Sequence, residues 1–417
     1  MFVRLALLIL FSLFIDLLNV LGFRQLLKSL RGSTISKLFF RTYWLIGVGL
    51  LIYFVSHFLW IGYPGLDYEK YRSFFFLFGI YMLIYFPRLV FVIFVIFQFI
   101  YNQIKALFNP KAKYRVKRKT HPKLIFLKLG IIIGFMTFGS VLYGILIGKS
   151  DFIVRNEIIY FHDLPSGFDG FRIAQISDMH LGSFSNPKDV KKGLELLRQQ
   201  QVDLILFTGD MVNNVANEVD SYVEDFKMLK SSFGMYSILG NHDMGDYVKW
   251  KQADLKYQEI KKLIAKENAM GFTMLLNQNK MLYRAGDSIT LIGVENWGKP
   301  PFKQYGNLQK AIAGVENVPF KILMSHDPSH FSMEVKEKTD IQLTLAGHTH
   351  GMQLGINCCG FKFSPAQWIY PLWNGLYQYN NQFLYVNPGF GFIGMPARIG
   401  IRPEITIITL KKGTPNE

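Results

Sequence analysis

The sequence predicts an α/β domain over residues 151–417 behind a helical membrane domain over residues 1–148. Three observations carry that prediction. Half of the residues are apolar and 16% are aromatic, which is high for a wholly soluble chain, and the excess is gathered into four runs ahead of residue 148. From Asp151 onward, short apolar strands alternate with helical periodicity, a β-α-β-α-β succession that implies right-handed crossovers and a largely parallel sheet. Five of these apolar runs stop abruptly at residue types that bind metals, and open α/β sheets bind ligands at the carboxyl ends of their strands.

The apolar runs at about 1–21, 43–61, 74–101 and 124–147 each approach or exceed the roughly 20 residues needed to cross a bilayer. The first reads as an uncleaved helix rather than a signal peptide, because Asp16 interrupts it and no small-residue cleavage site precedes Arg24. Pro87-Arg88 interrupts the third. It is either a kinked helix whose true span lies on one side of the break, or a tilted one with the arginine facing protein.

Charge orients the set. Residues 1–150 carry 19 Lys+Arg against 3 Asp+Glu, whereas residues 151–417 carry 27 of each, so the net +16 belongs to the membrane half. The soluble half lacks the basic surplus that binding a nucleic-acid backbone needs. Two connections are purely basic: Arg24, Lys28, Arg31, Lys37 and Arg41 lie in one, and the run from Lys105 to Lys123 in the other. The loop at 62–73 is balanced. The positive-inside rule puts both basic loops in the cytoplasm, so four crossings place Asp151 and all that follows outside it. The run 111–123 reads as a solvated loop that touches anionic lipid heads. The adjacent Cys358 and Cys359 are too strained a pair for an ordinary structural disulfide.

In the α/β part, strands are expected over 152–161, 202–207 and 235–239, and later near 288–294, 320–324, 341–345, 383–386 and 404–410. Helices are expected over 186–199, 220–230 and 249–266, and turns over 165–170. The stretch FRIAQISDMHLG ends a buried strand with Asp178 and His180, a carboxylate and an imidazole at i and i+2 that can converge on one cation. LILFTGD repeats the design at Asp210, MYSILGNHD at Asn241, His242 and Asp243, and KILMSHD at His326. LTLAGHTH does so at His348 and His350, which share a strand face. Taken singly, Asp210 reads as a turn residue, Asn241 as a cap and His326 as structural; the joint pattern outweighs those readings. Carboxylate, imidazole and amide oxygens suit divalent Mn, Fe, Zn or Mg, and the absence of thiolates argues against a structural zinc site. His57, His121, His162 and His330 fall outside the pattern and read as structural or solvent-facing.

In this order the blocks D-x-H, G-D, G-N-H-D, a lone His and G-H-x-H resemble the signature of the calcineurin-like metallophosphoesterases, in their membrane-linked branch, over roughly residues 151–410. The resemblance implies a four-layer αββα sandwich and two divalent metal ions. Asp178, His180 and His350 would hold one, Asn241, His326 and His348 the other, and Asp210 would bridge them. Two such ions share a water, lower its pKa and leave hydroxide aligned for in-line attack on phosphorus. His242 would face the leaving group as general acid or oxyanion stabiliser, with Asp243 orienting its ring. Asn387-Pro388-Gly389, Gly391 and the stretch RIGIRPEITIITL resemble the family's closing segment, which would bring the fork of Arg398 to a phosphate. Met352 departs from the pattern where relatives carry glycine, at the rim of the pocket.

The function so implied is a membrane-anchored, metal-dependent phosphoesterase acting on a phosphodiester or pyrophosphate, with membrane lipids as partners and a lipid-linked phosphoester as substrate. A UDP-diacylglucosamine-type pyrophosphohydrolase facing the cytoplasm and a non-catalytic scaffold are the alternatives. A nuclease is disfavoured by the balanced charge of residues 151–417. The UDP-linked lipid is disfavoured by the expected topology, because such lipids are made on the cytoplasmic face. Phe361, Phe363, Trp368, Ile369, Tyr370, Leu372, Trp373 and Tyr377 form either a rim that meets the membrane or part of the core.

Overall fold

Backbone polar groups find no partner in hydrocarbon, so apolar runs of this length fold as helices. In the computed structural model they are α1 (Phe2–Leu26), α2 (Thr34–Ile61), α3 (Tyr68–Phe108) and α4 (Ile125–Leu146), and all four contain stretches long and apolar enough to cross a membrane. The structure describes residues 2–61, 67–108, 123–358 and 360–414. Lys111, Lys113, Arg115, Lys117, Arg118, Lys119, His121 and Cys359 lie outside those residues. The chain packs as two units, residues 1–62 with 76–143, and residues 63–75 with 144–417.

In the first unit, α3 runs unbroken through Pro87, and Arg88 faces protein. Its Nη1 donates to Asp16 Oδ1 at 2.7 Å, and the guanidinium lies over the Tyr43 ring, 4.3 Å from its centroid. The Tyr43 and Tyr85 hydroxyls also donate to Asp16, at 2.6 and 3.1 Å. Asp16 is fully buried, so this set of donors is what makes a carboxylate tolerable among apolar helices.

The second unit is built on two six-stranded sheets. One has the order β1 (Ile153–Phe161), β14 (Glu404–Lys412), β2 (Arg172–Ile176), β3 (Leu204–Phe207), β4 (Met235–Ser237), β5 (Phe272–Met274). The other has the order β12 (Gly375–Tyr379), β13 (Gln382–Val386), β9 (Leu343–Ala346), β8 (Lys321–Met324), β7 (Asp287–Gly293), β6 (Gln278–Arg284). Strands β2 to β5 are parallel neighbours, as are β7, β8, β9 and β13; β14 runs antiparallel to β2. A hairpin of β10 (Ile356–Cys358) and β11 (Phe361–Phe363) stands apart from both sheets.

Strand periodicity assigns the layers. Ile173, Leu204 and Leu206 point into a core shared with Leu291, Ile322, Met324, Leu343 and Leu345 of the facing sheet. Their neighbours Ala174, Ile176, Ile205 and Phe207 point outward, onto Leu194 and Leu197 of α5 (Pro187–Arg198), Phe226 of α6 (Val223–Lys227) and Leu263 of α7 (Ala253–Ala269). On the far side, Leu323 and Leu384 pack against Leu308 of α8 (Leu308–Ile312) and Phe331. The result is the expected four-layer αββα sandwich, in which each fully buried Leu, Ile or Phe contributes about 1.5–3 kcal/mol. Helix α5 starts where the sequence places it: Pro187 takes the first position and the Asn186 side chain accepts from Lys188 N at 3.2 Å. The expected helix over 220–230 is shorter, a 3-10 turn at Ala216–Tyr222 leading into α6.

Candidate metal centre

Each strand that leads to a candidate metal-binding residue stops two to four residues before it. β2 ends ahead of Asp178 and His180, β3 ahead of Asp210, β4 ahead of Asn241, β8 ahead of His326 and β9 ahead of His348 and His350. Since β2, β3 and β4 are neighbours in one sheet and β8 and β9 in the other, these ends converge. The turns are tight. Asp178, His180, Asp210, His348 and His350 all adopt positive φ, at 51, 46, 63, 71 and 50°. Such backbone costs of the order of 1–3 kcal/mol per residue and persists only where the surroundings over-determine it. Here Asp178 N donates to Gly209 O at 2.9 Å, His180 N to Asp210 O at 3.1 Å and His348 N to the Asp178 carboxylate at 3.0 Å. Gly209 has φ 95°, and a Cβ on Gly240 would run into the Asp210 carboxylate, so both positions require glycine.

The side chains form close groups, one of Asp178, His180 and His350 and one of Asp210, His326 and His348, and a third joins His180, Asp210 and His242. In the first, Asp178, His180 and His350 present ligand atoms within 4.8 Å of one another. His180 Nε2 and His350 Nε2 are 3.0 Å apart, and Asp178 Oδ1 is 3.3 Å from His350 Nε2. The other nitrogen of His180 is directed at Val212 O, 3.2 Å away, which turns the Nε2 lone pair inward. In the second, Asp210, His326 and His348 lie equally close, joined by the amide oxygen of Asn241. That Oδ1 is 3.1 Å from His326 Nε2 and 2.8 Å from His348 Nδ1. It faces them because the amide nitrogen is committed to Tyr247 Oη, at 2.8 Å. Asp210 Oδ2 lies 3.1 Å from His326 Nε2 and 3.7 Å from His180 Nε2, between the groups.

Electrostatics agree with a cation site. Burial pushes His180 down to about 3 and His348 down to about 4, so both offer neutral lone pairs. Burial lifts Asp178 to about 6, and opposes charge on Asp210, yet the imidazoles of His326 and His242 hold Asp210 well below the usual carboxylate range. Burial also opposes a charged His326, but Asp210 and Asp178 outweigh it and lift the ring to about 10. The two carboxylates therefore attract positive charge, which a protonated His326 supplies and which a divalent ion would supply on displacing that proton. The donor set fits divalent metals of the oxygen- and nitrogen-binding class.

Two expected roles are corrected. Asp243 does not orient His242; its carboxylate accepts the backbone N–H groups of Gly240, Asp210, Met211 and Val212, at 2.9, 2.7, 2.9 and 3.2 Å. It therefore ties the loop after β3 to the loop after β4. The His242 ring is held by Asn213 O, 2.7 Å from Nδ1, and by stacking on Tyr247 at 4.4 Å between centroids. Arg398 is buried instead of being presented to a phosphate. Its guanidinium is 1% exposed and donates to Pro388 O and Gly391 O, with Nη2 3.4 Å from His350 Nδ1, so it backs the wall behind His350.

A cleft of about 260 Å³ opens over the site. Asp210, Asn241, His242, His348 and His350 form one wall, while Tyr247, Phe302, Met352, Tyr370 and Ile393 add aromatic and apolar surface. The aromatic segment after the last block divides. Trp373 is buried, and Leu372 and Tyr377 pack into the core, whereas Trp368, Phe361 and Ile369 are 74, 59 and 52% exposed. Tyr370 takes a role that sequence reasoning missed: its hydroxyl lies 2.7 Å from His348 Nε2. Glu218 was missed as well. It receives the N–H groups of Asn214 and Val215 at 2.9 and 3.0 Å and braces the loop beyond Asp210. His330 is buried, with Ser325 Oγ 2.8 Å from Nδ1 and Glu334 Oε2 3.2 Å from Nε2, outside the metal groups.

A sandwich of this kind with acids and imidazoles gathered at its strand ends defines a metal-dependent phosphoesterase. Residues 171–352 match the family profile described as calcineurin-like phosphoesterase, and residues 3–149 match that of a probable calcineurin-like phosphoesterase transmembrane domain. The chain is 32% identical over 256 residues to an uncharacterized metallophosphoesterase, YkuE, of Bacillus subtilis, covering 60% of this chain and 82% of the relative. It is 26% identical over 332 residues to a transmembrane protein with metallophosphoesterase domain of Danio rerio, covering 78% and 72%. An uncharacterized metallophosphoesterase of Helicobacter pylori is 26% identical over 317 residues, covering 75% and 76%. The chain belongs to the calcineurin-like phosphoesterases and is an integral membrane protein with a metal-dependent phosphoric ester hydrolase domain.

Proposed function

We propose that this enzyme cleaves a phosphodiester or pyrophosphate bond in a lipid-linked substrate, with residues 1–148 as its anchor and residues 151–417 as an extracytoplasmic catalytic domain. One observation carries the lipid reading: Trp368 and Ile369, both largely exposed, lie between Ala366 and Tyr370, which line the cleft. Exposed aromatic and aliphatic side chains at the mouth of a polar site suit a substrate with a charged head and an apolar tail. Membrane insertion of such a tail is worth about 0.8 kcal/mol per methylene, so the cleft need only recognise the head.

In this reading Asp178, His180 and His350 hold one divalent cation, Asn241, His326 and His348 a second, and Asp210 serves both. Those ions, when bound, supply Lewis acidity to water and neutralise phosphoryl oxygens. The chain's own residues do the rest. Tyr247 fixes the Asn241 amide, and Tyr370 steadies the His348 ring. Asn213 O engages Nδ1 of His242, which leaves Nε2 to act on the leaving group. Phe302, Met352 and Ile393 add apolar surface to the lining of the cleft.

Two measurements test this reading. In mixed micelles, a lipid-tailed phosphodiester should show a kcat/KM at least about tenfold above that of its water-soluble head-group analogue, the gain expected when tail insertion supplies affinity. Equal constants would remove the lipid substrate and leave the phosphoesterase. For orientation, a reporter active only outside the cytoplasm, fused after Thr414 so that β14 stays whole, should be active. Signal from a cytoplasm-specific reporter alone would reverse the topology and favour the UDP-linked lipid.

A further inference from the structure

The turn between α1 and α2 carries a second cavity, unrelated to the metal groups. It has a volume of about 600 Å³ and is lined by Leu21, Arg24, Gln25, Leu27, Lys28, Arg31, Ser36 and Phe40. Spacing explains how those residues meet. Leu21, Arg24 and Gln25 at the end of α1 and Lys28 in the 3-10 turn that follows recur at three- and four-residue intervals, and Ser36 and Phe40 are four apart at the start of α2. The connection is short and internally bonded. Leu27 N donates to Phe23 O at 2.8 Å, Leu30 N to Leu27 O at 2.9 Å and Ser33 N to Leu30 O at 3.0 Å, and Gly32 makes the reversal with φ 85°. Ser33 Oγ accepts from Ser36 N at 3.2 Å and fixes the first turn of α2.

The cavity is polarised along the helices. Leu21 and Phe40 sit towards the membrane-spanning side, and Arg24, Lys28 and Arg31 gather at the turn. No Asp or Glu occurs between Asp16 and Asp67, and Asp16 is committed to Arg88. Among the described residues, none of the three cations has an ion-pair partner. Three unneutralised cations above an apolar floor at the end of a membrane helix complement one class of ligand, an amphiphile with an anionic phosphate head and an alkyl tail.

We propose that this cavity binds an anionic phospholipid, with its phosphate between Arg24, Lys28 and Arg31 and the start of its acyl chain against Leu21 and Phe40. The site is independent of the proposed substrate. It holds a resident lipid and does no chemistry on it. A guanidinium pair suits the phosphate by forked hydrogen bonding, and the lysine adds a point charge.

The test uses the full-length protein in detergent, titrated with phosphatidylglycerol or phosphatidylcholine and read by native mass spectrometry. Phosphatidylglycerol should be retained in preference to phosphatidylcholine, and R24Q/K28Q/R31Q should weaken its binding about a hundredfold, the scale expected for three interfacial cations. K37Q/R41Q removes charge from two exposed residues of α2 outside the cavity and should leave retention unchanged. The charge-conserving R24K/K28R/R31K should also retain the lipid, which separates lost binding from lost folding. Excess inorganic phosphate should not displace it. Retention by the triple glutamine variant, an equal loss in K37Q/R41Q, loss in the charge-conserving variant, or full displacement by inorganic phosphate would each overturn the site.

Discussion

Replacing Asp210 with asparagine should abolish turnover and empty both metal positions, because one carboxylate serves both groups. Its Oδ1 accepts the backbone N–H of His242 at 2.8 Å, and its Oδ2 faces His326 Nε2 and His180 Nε2. An asparagine that keeps the first bond must turn its NH2 towards the two imidazoles, placing hydrogens where a cation belongs and removing the charge that would balance it. Elemental analysis of the purified variant should therefore find well under the roughly two equivalents expected of a dinuclear site. A variant that keeps both metals and near-normal turnover would remove the bridging role.

His242→Ala should do the opposite to the metals and nearly the same to the rate. Its Nδ1 faces Asn213 O, and its ring packs between Tyr247 and His180, with centroids 4.4 and 4.8 Å away. Removing the ring leaves the ligands of both proposed sites in place, so metal content should be unchanged while kcat falls roughly 10²–10⁴-fold, the usual range for a lost acid–base group. Loss of metal with the ring would make His242 a ligand; its place in a third close group with His180 and Asp210 makes that outcome worth excluding.

These two residues also show what the sequence reveals about the site. That Asp178, Asp210, Asn241, His326 and His348 come together was legible because each follows a buried strand, and a parallel sheet delivers its strand ends to one edge. Asp243 was misread because it adjoins His242 in sequence, yet its carboxylate turns into the backbone and collects four N–H groups. Arg398 was misread for a related reason. A charged residue in a glycine-rich closing segment suggests a ligand, but its partners are carbonyls, which leave no side-chain signature. Tyr370 reaches His348 from 22 residues downstream through an irregular segment with no period to follow.

The fold divides in the same way. Central strands were found because both faces are apolar, whereas the edge strands β5, β6 and β12, with mixed faces, were missed; β1, also at an edge, was found from its longer run. In β6, QNKMLYR, one residue of seven is buried. The positive φ values at the ligand turns have no sequence signal, since the residues that adopt them are there for their side chains.

If buried carboxylates and imidazoles at these strand ends hold the metals on which hydrolysis depends, metal content and turnover must rise and fall together. The direct measurement is elemental analysis paired with turnover, on the full-length protein before and after a chelator and again after a divalent metal is returned. About two equivalents per chain are expected at the start, with a parallel loss of metal and activity, and recovery of both in wild type but not in Asp210→Asn. Undiminished turnover in protein stripped of metal would contradict that dependence.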